Sequence, residues 1–157
     1  MSRFALATLA ASLLFASQAS ALTAKQTVEK EITVTLEDGT TETQRVSADT
    51  VVPGEKVVYT IDFVNDSDQP ATDLILAMPV PSDVRFLDGS ADRSDAVVRY
   101  STDGGTEFAA REALQLPAVG GGMRDATPED ITHIQWTIPG PVAVGAADKV
   151  AFTGRLK

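Results

Sequence analysis

The chain has 157 residues, 43% apolar, 22% charged and 6% aromatic, enough for one compact core and too few for a two-domain enzyme. Acids outnumber bases 22 to 13 for a formal charge of -9, so the field repels phosphate backbones and nucleic acid is not an expected partner. With no cysteine, disulfides and thiolate catalysis are closed, and stability must come from a hydrophobic core.

Arg3, the apolar run Phe4 to Ala16 and the small residues Ala19-Ser20-Ala21 have the three-part pattern of a secretory signal peptide, predicting cleavage after Ala21 and one mature domain over 22–157. The apolar run is shorter than the roughly 20 residues that cross a bilayer and no second one follows, so no membrane insertion is expected after cleavage. No cysteine stands near the cleavage site for lipidation, and the hydrophilic end Thr153-Gly154-Arg155-Leu156-Lys157 carries no anchor. The expected location is the periplasm or the exterior.

From Thr27 onward apolar and polar residues alternate, which predicts an all-β domain. Ile32, Val34 and Leu36 share one face, Asp38-Gly39 predicts a tight hairpin with two positive φ angles, and Thr40 to Val46 reads as a charged edge strand. Pro53-Gly54 suits a type II turn. Between Lys56 and Asn65, Val57, Tyr59, Ile61 and Phe63 point one way, so this strand should line the core with one face. Asn65 to Pro70 turns the chain. Leu74, Leu76 and Met78 resume the alternation until Pro79 and Pro81 end the pairing or place it at an edge.

Val84 and Phe86 predict a short strand, and Ala96, Val98 and Tyr100 another that runs into the hairpin signal Ser101 to Phe108. Ala109 to Leu116 suits a strand or one helical turn. Pro117 to Asp130, with Gly120-Gly121-Gly122, reads as the longest irregular segment, either functional or mobile, and ends in one helical turn at Thr127-Pro128-Glu129-Asp130. Thr132, Ile134, Trp136 and Ile138, then Val150, Phe152 and Leu156, predict the last two strands. Seven to nine short strands with frequent turns predict an immunoglobulin-like Greek-key β-sandwich, with a closed barrel as the alternative.

The stretch Val52-Pro53-Gly54-Glu55-Lys56-Val57-Val58-Tyr59-Thr60-Ile61-Asp62-Phe63-Val64-Asn65-Asp66-Ser67, followed by Ala71-Thr72-Asp73-Leu74 and Met78-Pro79, resembles the bacterial conserved-repeat domain of unknown function. That resemblance implies an immunoglobulin-like module of envelope and surface proteins. Its motifs are turn and strand chemistry, so it transfers no catalytic residue, and a single unit departs from the tandem arrangement commoner in that family.

No catalytic, cofactor-binding or metal-ligating residue is assigned. His133 is the only imidazole, expected on the surface beside Gln135 with no nucleophile elbow to serve. Asp66 and Asp68, and the better-placed Asp88, Asp92 and Asp95, are the calcium candidates, but neither set has the loop grammar of a calcium hand. Ser101, Asp103, Gly105 and Phe108 match the spacing of an Asp-box, whose serine and aspartate cap turn amides above a packed aromatic. Trp136 is expected in the core rather than as a carbohydrate platform.

The expected function is that of an exported, non-catalytic module working by contact with an envelope or surface protein, with self-association through edge strands as a further route. Leu22 to Val28 or the final strand is the expected mobile element for completing a neighbour's sheet. A calcium- or polysaccharide-binding domain is the alternative, and an acid-pair glycosidase stays open because sequence spacing sets no carboxylate separation.

Overall fold

The computed structural model describes residues 22–157; the expected signal segment, 1–21, lies outside the described residues. The strands are β1 (Leu22–Thr35), β2 (Thr41–Ser47), β3 (Lys56–Asn65), β4 (Leu74–Pro79), β5 (Val84–Phe86), β6 (Val97–Ser101), β7 (Gln115–Pro117), β8 (Met123–Asp125), β9 (His133–Ile138) and β10 (Ala147–Leu156). All pair antiparallel, in a five-stranded sheet β2-β1-β3-β10-β5, a three-stranded sheet β4-β9-β6 and the small hairpin β7-β8. From β3 to β6 the chain changes sheet at every strand, and β9 and β10 also lie in opposite sheets. The last two strands of a constant-type immunoglobulin domain are instead neighbours in one sheet.

The two larger sheets stack through one core. Phe63, Phe86, Val150 and Phe152 come from the first, and Leu76, Met78, Tyr100, Ile134, Trp136 and Ile138 from the second. Tyr59 stacks on Phe152 with ring centroids 4.9 Å apart, and Phe86 meets Phe152 edge-on at 6.2 Å, the offset and edge geometries that aromatic quadrupoles favour. Trp136 is wholly buried, and its indole N–H donates to the Ala91 carbonyl at 2.9 Å. It is a core residue, as its apolar neighbours in sequence indicate.

Local chemistry changed three expectations. The β1-β2 turn has one left-handed residue, Gly39 at φ 81, and closes with Gly39 N–H on the Leu36 carbonyl and Leu36 N–H on the Thr40 carbonyl. That is a three-residue loop with a glycine bulge. Asp38 keeps a negative φ, and its carboxylate accepts from both the Thr40 amide and hydroxyl.

Strand β3 is shielded on both faces rather than one, for Val58 and Thr60 are buried as well as Val57 and Phe63. It lies between β1 and β10, whose Glu29, Thr27, Thr153 and Ala151 are the cross-strand neighbours of Val58 and Thr60. The glycine-rich stretch is likewise no irregular loop. Gly120, Gly121 and Gly122 all have positive φ and turn β7 back onto β8, with Ala118 N–H on the Gly122 carbonyl.

Candidate interaction surface

Sheet edges offer unpaired backbone groups, so their protection decides where another chain could add. Strand β5 is only three residues long, and Tyr100 of β6 exchanges both backbone hydrogen bonds with Ala109. Along β10, beyond the short reach of β5, side chains occupy the edge. Ser90 bonds the amide and carbonyl of Thr153 at 3.0 Å each. Arg93 donates to the Lys149 carbonyl, forks onto both Asp95 oxygens and also bonds Asp148. Bidentate carboxylate pairing fixes the guanidinium across the strand.

Strand β1 is different. It pairs with β3 from Leu22 to Lys30, but β2 reaches only Ser47 opposite Glu29. Among the described residues the last bond on that side is Ala48 N–H to the Val28 carbonyl. Because an antiparallel strand sends the N–H and C=O of alternate residues to alternate sides, the backbones of Leu22, Ala24 and Gln26 face the same open side as Val28. Ala24 and Gln26 are exposed. Neither expected mobile element is loose: Leu22 to Val28 is held against β3, and the final strand lies in the interior of the sheet between β3 and β5.

The Ser101 to Phe108 hairpin folds as its Asp-box spacing requires. Asp103 accepts from the Ser101 hydroxyl at 2.6 Å and from the Thr106 and Glu107 amides, while the Ser101 oxygen accepts from the Gly105 amide. Phe108 is half-buried, beside a recess lined also by Thr102, Asp103 and Leu114. His133 shares the outer face of β9 with Gln135, as expected, but it is half-buried under the turn rather than open to solvent. An added Cβ on Gly105 would stand 3.2 Å from its ring, and its buried Nδ1 has no hydrogen-bond partner among the described residues. The turn covers the imidazole because Gly105 has no side chain and adopts φ 86.

The calcium candidates are separated by their partners. Asp88 is forked by Arg111, Asp95 by Arg93, and Asp92 accepts from the Tyr100 hydroxyl at 3.4 Å. Burial first, then the Asp92 charge, push the Tyr100 phenol up to about 12. No group of three or more acids or histidines is arranged for a metal ion among the described residues, and burial removes Trp136 from any sugar platform. Among the described residues no helix is long and apolar enough to cross a membrane.

Several carboxyls lie below their ordinary range. Arg124 holds Asp130 well below it, with help from Thr127; Arg93 lowers Asp95 and Asp148; the Ser101 hydroxyl and turn amides lower Asp103. A carboxyl depressed by folding adds stability above its unfolded pKa, near 4, and that stability is lost as pH falls through the folded value. The melting temperature should therefore hold from neutrality to about pH 5 and fall progressively below about pH 4. Calorimetric melts across that range check it, and an unchanged melting temperature at pH 2.5 would contradict it.

The open edge and the Arg93 clamp were both invisible to periodicity. Only the pairing lengths of β1 and β2 create the edge, and the clamp's sole trace in the sequence is an arginine two positions before an aspartate. Comparison with known proteins finds no matching family model, no matching curated protein and no matching solved structure.

Proposed function

We propose that the chain is an exported, non-catalytic β-sandwich module, immunoglobulin-like and akin to the conserved-repeat domain, that acts through protein contacts in the periplasm or at the cell surface. The observation that carries this reading is the open half of β1. Its outward backbone offers a row of donors and acceptors to an incoming strand, and main-chain pairing of that kind gives affinity while alternate side chains give specificity. Two other edges support the same reading by contrast: β10 is occupied by Ser90 and Arg93, and β2 carries Glu42 and Arg45 along its exposed length, whereas β4, the outer strand of the smaller sheet, is a shorter edge that ends at Pro79. The module thus accepts a strand rather than donating one.

A photo-crosslinking residue in place of Ala24, introduced in cells, should yield one defined adduct. Gln26→Pro removes an outward N–H without touching a donor to β3, and edge strands tolerate proline. It should abolish the adduct while lowering the melting temperature by no more than a few degrees. An adduct of undiminished yield in the proline variant, or none with the native edge, sinks the proposal.

A further inference from the structure

One rung of the five-stranded sheet breaks the rule that opposite charges face each other across strands. On the outer face Lys56 of β3 is the register partner of Arg155 of β10, and Arg155 is the partner of Arg85 of β5. Like charges directly opposite are destabilising, and here three adjoin in a chain with an excess of acids. Both ends of the rung are neutralised. Glu31 lies 3.8 Å from Lys56, and Glu129 lies 3.1 Å from Arg85. The centre is not: among the described residues Arg155 forms no ion pair, spending one nitrogen on the Gly54 carbonyl at 2.6 Å. Lys157, the next side chain on that face, also lacks an acidic partner there and donates to the Ser82 carbonyl.

These side chains surround a recess of about 340 Å³ lined by Arg85, Glu129, Arg155, Leu156 and Lys157. Glu129 has the only side-chain carboxylate among these lining residues. We propose that this recess binds a doubly charged tetrahedral oxyanion, inorganic phosphate or a phosphomonoester, between Arg155 and Lys157 with Arg85 as the third contact. The Gly54 bond holds the Arg155 guanidinium in place and leaves its other N–H groups for the ligand. A dianion supplies the negative charge the rung lacks, in a chain whose formal charge of -9 otherwise disfavours anions. Glu129 competes with the ligand for Arg85.

The test is an NMR titration of the chain from Leu22 with sodium phosphate, glycerol 3-phosphate and sodium acetate, each against sodium chloride at equal ionic strength. Saturable shifts of the Gly54, Arg155 and Lys157 resonances are expected with both phosphates and weaker ones with acetate. Tighter binding of the monoester would identify an esterified phosphate as the occupant, and tighter binding of inorganic phosphate the free ion. Arg155→Gln should weaken binding about tenfold, the loss of one charge-assisted pair. Glu129→Gln should tighten it about fivefold by removing the competing charge, a gain that misfolding does not imitate. Shifts no larger than those from chloride, acetate binding as well as phosphate, or weaker binding in Glu129→Gln would overturn the proposal.

Discussion

Replacing Gly154 with alanine is expected to lower stability by about 3 kcal/mol, the upper end for overpacking a core. Backbone preference alone argues the opposite, since Gly154 has no positive φ and alanine in a compatible conformation usually gains up to about 1 kcal/mol by restricting the unfolded chain. Space decides the sign. Gly154 is buried in β10 between Val57 of β3 and Phe86 of β5. An added Cβ would lie 2.2 Å from Val84 Cγ1 and 3.2 Å from the Arg85 carbonyl. Valine is stiff at χ1 and Val84 is itself buried, so relief requires moving β5. Urea unfolding should show the loss, with a melting temperature lower by about 10 °C. Val84→Ala in the same background should recover part of it, and two strictly additive costs would show that the contact is not the cause.

The second large effect belongs to Asn65. Its side chain is fully buried, donating to the Gln69 and Val142 carbonyls at 2.9 and 2.8 Å and accepting from the Ser67 amide and hydroxyl. One amide thereby ties the β3-β4 turn to the segment between β9 and β10, where Gly145 N–H and the Ala146 carbonyl also bond the Asn65 backbone. Asn65→Ala strands these partners and should cost about 3 kcal/mol, the penalty for buried polar groups left unpaired. Asn65→Asp should be worse at neutral pH, because a carboxylate would face two carbonyl oxygens. The new acid would have its folded pKa raised, so the extra destabilisation by its charge should be full above that raised value, shrink as pH falls through it, and be nearly gone by about pH 4, the unfolded value. Denaturation of the two variants at pH 7 and pH 4 separates the effects, and equal costs at both values would refute the charge argument.

Much of the sandwich could be read from periodicity. Leu76 and Met78, Ile134, Trp136 and Ile138, and Val150 and Phe152 face the core as their alternation requires, and the expected helical turn forms at Pro128–Asp130 with Thr127 as its cap. What two-residue spacing cannot encode is which strand lies beside which. The burial of Val58 and Thr60 depends on β10 returning alongside β3, and the ordered β7-β8 hairpin depends on three successive glycines taking left-handed angles rather than remaining loose. The candidate surface was less legible still, because the open side of β1 and the crowded cations around Arg155 are properties of register. No local window of sequence contains both Lys56 and Arg155.

The interior position of β10 governs when this protein can acquire its shape. Tyr59 and Phe152, stacked at the edge of the core, are far apart along the polypeptide, so the large sheet stays divided until β10 docks between β3 and β5. Such distant pairing slows folding. Until β10 is in place β3 keeps an unpaired edge beside the core, which exposes the half-built sheet to wrong partners.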